Sequence, residues 1–237
     1  RMPNSFQCND NKKEISKESI FRRDFNLPDQ GFIFTCFNNN YKITKKEFNI
    51  WMNLLKKTEG SVLWLYKSNQ WSMNNLYKEA RKRKVDPERL IFANELPLDK
   101  HLARHSLGDL ALDTFNYNGH TSSIDALFSG VPVITKKGNS FSARVCASIL
   151  NSFEMPEMIT STEDEYFKLA LDIATNKEKF LKLKSSVMNN IKSSSLFKTQ
   201  NYVTHLEKGF AIALKNKIRD NAIDHIIIED KYKQSTN

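Results

Sequence analysis

The chain has 237 residues, with 36 Lys and Arg against 27 Asp and Glu, a formal charge of +9. At 40% apolar and 27% charged residues it can bury one full core, which excludes a chain disordered throughout. No stretch approaches the ~18–20 uncharged apolar residues of a membrane-spanning helix, and Arg1-Met2-Pro3-Asn4 opens no signal-peptide core, so a cytoplasmic address and no membrane span are expected. Cys8, Cys36 and Cys146 are odd in number, far apart and without CxxC spacing, which argues against a disulfide framework or a zinc site; they read as reduced, buried thiols. A start on Arg1 rather than Met fits a piece of a longer protein.

Residues 1–30 are polar and mixed, broken by Pro3 and Pro28, and read as a lead-in with order beginning after them. The run 31–37 (GFIFTCF) predicts a strand, and Thr44-Lys45-Lys46-Glu47 is a capping box for a helix with Phe48, Trp51, Met52 and Leu55 on its apolar face. The alternation repeats: strand 61–66, helix 73–84, strand 89–93, helix 98–106, strand 109–113, helix 121–129, strand 131–135, helix 140–153. Five short strands that are apolar throughout, each followed by a helix, predict a parallel sheet covered on both faces, a Rossmann-like lobe over 31–160. From Thr162, where Thr162-Glu163-Asp164-Glu165 is a second capping box, helices extend over 161–220. Residues 221–237 form a polar tail with one apolar patch at Ile226, Ile227 and Ile228, expected to fray.

Most of the charge excess sits between Lys177 and Arg219, where ten Lys or Arg face two Glu, giving 10 − 2 = +8. Apolar residues recur there at helical spacing, first Phe180, Leu183, Val187 and Ile191, then Val203, Leu206, Phe210 and Leu214. Two surface helices with solvated lysine faces, or a patch for an acidic partner or membrane surface, both satisfy that pattern. No RNP-like aromatic motif and no paired Cys/His supports nucleic acid as a partner.

In a doubly wound sheet the chemistry lies in the loops after the strands. After the first strand, Asn38, Asn39 and Asn40 with Lys42 can donate to an anion, or can form an Asn-rich turn. After the fourth, Gly119 permits close backbone approach, and His120, Thr121, Ser122 and Ser123 open a helix whose N-terminus suits a phosphate. Asp125 could take sugar hydroxyls or cap that helix. After the third, His101 could stack on a base or serve as an ordinary solvated residue, on a helix that continues to Arg104. Three polar loops on one rim suggest a nucleoside-diphosphate compound.

With these residues in view, the chain resembles the carboxyl-terminal catalytic lobe of the protein O-GlcNAc transferase family, from about Pro3 to about Leu214 in one register. The sharpest pieces are Phe37-Asn38-Asn39-Asn40-Tyr41-Lys42-Ile43, Ser61-Val62-Leu63-Trp64-Leu65, Leu112-Asp113-Thr114 with Asn118-Gly119-His120-Thr121-Ser122, and Ser142-Ala143-Arg144-Val145-Cys146-Ala147-Ser148. Leu196-Phe197 through Tyr202 and Leu206-Glu207 also fit.

The resemblance implies a GT-B fold with UDP-GlcNAc held between two Rossmann-like lobes, this one carrying the nucleotide and a helical C-terminal extension. It implies that Lys42 acts catalytically on the diphosphate and that Asn39 stands where the family commonly has Gln. It puts His120, Thr121 and Ser122 at the diphosphate turn, Asp125 at the ribose, His101 on uracil and Arg104 beside it. Leu98 departs, standing where animal members have a Lys near the ribose, so another UDP-hexose, or a non-catalytic nucleotide-binding module, is the alternative reading. No Asp-x-Asp pair is present to hold a metal, so metal-independent, inverting transfer to Ser or Thr of a protein is expected, with no cofactor besides the donor. The base and the other cleft wall are expected in an amino-terminal lobe, preceded by tetratricopeptide repeats that dock the acceptor.

Overall fold

The computed structural model describes residues 1–219 and 225–230. Its strands are β1 (Ile33–Cys36), β2 (Val62–Tyr66), β3 (Leu90–Ala93), β4 (Leu110–Leu112), β5 (Val133–Lys136) and β6 (Ile159–Thr160). All pair in parallel, in the order β3-β2-β1-β4-β5-β6. The strands lack polar alternation because both faces are buried. Phe34, Cys36, Leu63 and Leu65 join the larger core, and Ile33, Val62 and Trp64 join a second cluster with Leu27 and Ala93.

The connecting helices are α1 (Lys45–Lys57), α2 (Gln70–Lys82), α3 (Leu98–His105), α4 (Thr121–Phe128) and α5 (Val145–Ser152); α6 (Glu163–Thr175), α7 (Lys177–Ser193) and α8 (Thr199–Ile218) follow the sheet. Thr44 and Thr162 cap α1 and α6 through the expected boxes. Two starts differ from the sequence reading. Helix α2 begins at 70 rather than 73 because the Asn69 side chain accepts the Ser72 amide at 2.9 Å. Helix α5 begins at 145 rather than 140 because 138–143 close a turn in which the Gly138 amide donates to the Ala143 carbonyl at 2.7 Å. The sixth strand, two residues long, is too short to leave a pattern in the sequence.

Residues 1–30 are ordered, contrary to expectation. Polar side chains pin them: Asn9 donates to the Leu196 carbonyl at 3.2 Å, Thr199 donates to the Asn9 carbonyl at 2.7 Å, and Ser152 donates to the Asn4 carbonyl at 2.9 Å. The segment 225–230 does not fray either: Ile228 is buried, and its amide donates to the Arg1 carbonyl at 3.0 Å; the rest of the expected tail lies outside the described residues. Cys36 and Cys146 are buried free thiols as expected, but Cys8 is exposed. In the basic region α7 buries Leu183 and Val187, whereas the α8 stripe is half-buried at Val203 and Leu206 and exposed at Phe210 (66%) and Leu214 (62%). No described helix is long and apolar enough to cross a membrane.

Candidate functional site

Strands β1 and β4 are neighbours in the sheet although two strands and their helices separate them in the chain. The winding reverses between them, and the crevice beyond their carboxyl ends is where such a sheet takes a ligand. The loops leaving β1 and β4 carry Asn38 to Lys42 and Asp113 to Thr121 into that crevice.

The β4 loop is ordered from beneath by Asp113, which is buried. One of its oxygens accepts the amides of Gly119 at 2.5 Å and Thr114 at 2.9 Å, and the other accepts the Thr135 hydroxyl at 2.6 Å. Burial pushes its carboxyl up to about 6, and these donors hold it from going further. Asn38 links the two loops: its amide donates to the Thr114 hydroxyl at 3.0 Å and its oxygen accepts the Ser122 hydroxyl at 2.5 Å. Gly119 is required here because a Cβ would lie 2.4 Å from the Ser123 hydroxyl and 2.7 Å from that of Ser122.

On this frame Lys42 reaches across from the β1 loop. Its Nζ donates to the Asn118 carbonyl at 3.0 Å and sits 3.9 Å from the centre of the Tyr117 ring. Burial lowers the ammonium's pKa, opposed by the negative charge of Asp113. His120 precedes α4 with its ring 5.2 Å from that of Tyr117, and burial together with the Lys42 charge holds it below its ordinary value. The first amides of α4, at Thr121 and Ser122, have no intrahelical acceptor. A cation, a neutral imidazole and a helix N-terminus on one crevice are groups suited to an anion.

A second part of the crevice, of about 290 Å³, is lined by Phe37, Asn39, Tyr66, His101 and Arg104 among others. Arg104 is 2% exposed and makes no ion pair with a carboxylate among the described residues. Its guanidinium donates to the Asn94 carbonyl and, through Nε at 3.0 Å and a terminal nitrogen at 2.7 Å, to His101 Nδ1. Since Arg only donates, His101 accepts at Nδ1 and carries its proton on Nε2, which faces Nε2 of the buried His105 at 3.2 Å. Burial, then the charges of Arg104 and Lys13, pull the His101 pKa down to about 4, so the ring is neutral at ordinary pH. Phe37 packs against both imidazoles, at 5.5 and 4.8 Å between ring centres.

The fold thus gathers Lys42, His120, Thr121 and Ser122 at one end of the crevice, and Asn39, His101 and Arg104 at the other. Asp125, on α4 one turn past Ser122, is not facing open solvent: it is ion-paired to Lys13 at 2.5 Å. Sequence reasoning missed the supports, Asp113, Asn118, His105 and Lys13. For Asp113 a signal existed, a lone acid ending an otherwise apolar strand run (DLALD), where burial demands partners.

A six-stranded parallel sheet wound in this order, with helices on both faces, is the fold of a Rossmann-like lobe of a GT-B glycosyltransferase. More particularly, a family model described as glycosyl transferase family 41 matches residues 7–206, and the chain belongs to that family. It is 31% identical over 205 residues to a UDP-N-acetylglucosamine–peptide N-acetylglucosaminyltransferase of Caenorhabditis elegans, covering 86% of this chain and 18% of that protein. It is 33% identical over 190 residues to the protein named probable UDP-N-acetylglucosamine–peptide N-acetylglucosaminyltransferase SEC of Arabidopsis thaliana, covering 80% and 19%. The solved structure of a Thermobaculum terrenum O-GlcNAc transferase mutant superposes with a TM-score of 0.76 at 26% identity, over 81% of this chain and 38% of that one. The chain therefore spans about a fifth of the length of the curated relatives it matches.

Proposed function

We propose that this lobe binds UDP-GlcNAc and, with a second lobe closing the cleft, serves metal-independent, inverting transfer of GlcNAc to Ser and Thr hydroxyls of proteins. The observation that carries the reading is the convergence of Lys42 and the α4 N-terminus beyond the β1–β4 switch point. The donor and acceptor follow from the names of the relatives. As the glycosidic bond breaks, charge grows on the β-phosphate. A fixed ammonium and helix amides aimed there stabilise the transition state more than the ground state. Two buried carboxylates beneath these loops are already committed, Asp113 to two amides and a hydroxyl and Glu47, on α1, to the Phe115 amide at 2.7 Å, which supports charge stabilisation by Lys42 and the helix rather than by a bridging metal. Use of another UDP-hexose is the second reading; Leu98 favours it, standing 52% exposed at the start of α3 and offering no cation to the donor.

Calorimetric titration with UDP and a radiolabelled transfer assay on the full-length protein test this. UDP should bind, and transfer should survive EDTA, with added Mg²⁺ or Mn²⁺ changing the rate by less than about tenfold, a span of ~1.4 kcal/mol. Activity lost on chelation and restored by Mn²⁺ overturns the metal-independent reading. The 237-residue chain alone should bind UDP weakly and transfer nothing; turnover by it alone overturns the division of labour between lobes.

A further inference from the structure

Lys13 belongs to an irregular stretch of chain, yet it is held in place. Three residues on, the Ser16 amide donates to the Asp99 carbonyl at 3.1 Å, and Glu18 pairs with Lys100 at 2.9 Å, so the segment is strapped across the start of α3. From there the Lys13 side chain reaches to α4, where its Nζ meets Asp125 Oδ1 at 2.5 Å with the two side chains only 10% and 7% exposed. Its charge is also felt by His101 and His105. The pair therefore lies one turn along α4 from Thr121 and Ser122, with Lys13 near enough to His101 for its charge to act there. In any nucleotide the ribose lies between the phosphates and the base.

A buried ion pair is a poor means of stabilising a fold, because desolvating both charges offsets most of their attraction. Burial lifts the Asp125 carboxyl and Lys13 draws it back. An ammonium has three N–H groups, of which Asp125 takes one. We infer that Lys13 is a donor-binding residue, which orients Asp125 and, together with it, presents hydrogen-bonding groups to the ribose hydroxyls of the nucleotide. The inference rests on the UDP-sugar reading above. It supplies a cation on the side of the cleft where Leu98 offers none.

The test is calorimetric titration of the full-length protein with UDP and with 2′-deoxy-UDP, comparing wild type with Lys13→Met. A site built to bond a hydroxyl discriminates against the analogue lacking it, so wild type should prefer UDP by about tenfold or more. Lys13→Met should weaken UDP by about tenfold and deoxy-UDP less, shrinking the preference to within about threefold. Equal weakening of both ligands would make Lys13 a purely structural residue, and unchanged or tighter UDP binding would make it a bystander or a plug; each overturns the inference while leaving the UDP reading intact. Failure of folded wild type to bind UDP removes both. Should Lys13→Met not fold, Lys13→Gln keeps a donor toward Asp125 without the charge and is read the same way.

Discussion

The two ends of the cleft are held by opposite electrostatic means. At the end that the proposed function gives to the phosphates, the buried carboxylate of Asp113 gathers two amides and a hydroxyl beneath the loop, Glu47 takes the Phe115 amide, and Lys42 and the first N–H groups of α4 come together. At the end that it gives to the base, the buried charge is a cation, Arg104, whose hydrogen bonds go to a carbonyl and an imidazole rather than to an acid. Under the proposed UDP-sugar reading, the difference follows the ligand. An anion is best met by donors ordered from behind, with the negative group kept out of its view. A neutral base is best met by groups whose proton positions are fixed, and a guanidinium that can never accept fixes the His101 tautomer.

The comparison breaks most severely at Asp113. Asp113→Ala leaves the Gly119 and Thr114 amides and the Thr135 hydroxyl without their acceptor, and at ~1–3 kcal/mol for each stranded buried group a loss of about 3–9 kcal/mol is expected, with UDP binding gone. Asp113→Asn should be far milder, because the amide oxygen still accepts the two backbone N–H groups and the Thr135 hydroxyl can turn to accept from the amide nitrogen. Urea unfolding of both variants measures this; an alanine variant as stable as wild type would show that Asp113 orders nothing.

Lys42→Ala comes next, and its effect should fall on chemistry rather than on folding. In the full-length enzyme turnover should drop about 10²–10³-fold, as for loss of one preorganised group facing a developing charge, while UDP affinity changes much less. Steady-state rates set beside calorimetry separate the two, and unchanged turnover removes Lys42 from the site. Gly119→Ala should be smaller again. Its Cβ would press on the Ser122 hydroxyl, which is tied to Asn38, so about 1–3 kcal/mol of stability and a measurable part of UDP affinity should go, read by thermal melting and titration.

How far the sequence revealed these two ends differs as well. The strands, the capped helices and the polar loops were legible because apolar runs, Thr-x-x-Glu boxes and Gly-Ser-Thr turns are local signals. Lys42 and Thr121 were legible for the same reason, each standing just past a strand run. The partners that hold them were not. Asp113 reaches Thr135 across 22 residues, Asn38 reaches Ser122 across 84, and Lys13 reaches Asp125 across 112, distances at which no spacing rule operates. The N-terminal segment was misjudged because it is held by scattered side chain–backbone hydrogen bonds, Asn9 to the Leu196 carbonyl between α7 and α8 and Thr199 to the Asn9 carbonyl, rather than by an element with a period of its own. In the α8 stripe, spacing reported amphipathicity but not that Phe210 and Leu214 stay exposed.

The smallest expected effect is the sharpest test of the base end. His101 has its pKa depressed to about 4 because the fold buries it beside Arg104 and Lys13, whereas the unfolded chain protonates it near 6.5. Between those values the unfolded state binds more protons, so this group adds stability as pH rises from about 4 to 6.5 and contributes nothing further above. Asp113 acts with the opposite sign: raised to about 6, it binds protons more tightly when folded, and the stability it gives below about 3.8 declines as pH rises to 6. The two slopes oppose each other over nearly the same window, so a global stability curve cannot separate them. Nitrogen NMR of the His101 ring can. In wild type the ring should stay neutral with its proton on Nε2 from pH 8 down to about 5, and UDP affinity should show no inflection from it. Arg104→Met removes both the nearby charge and the donor to Nδ1, so His101 should then titrate closer to its ordinary value and sample both tautomers. A wild-type ring that titrates near 6.5 would mean that Arg104 does not set its protonation, and that the base end is an ordinary solvated histidine beside a cleft.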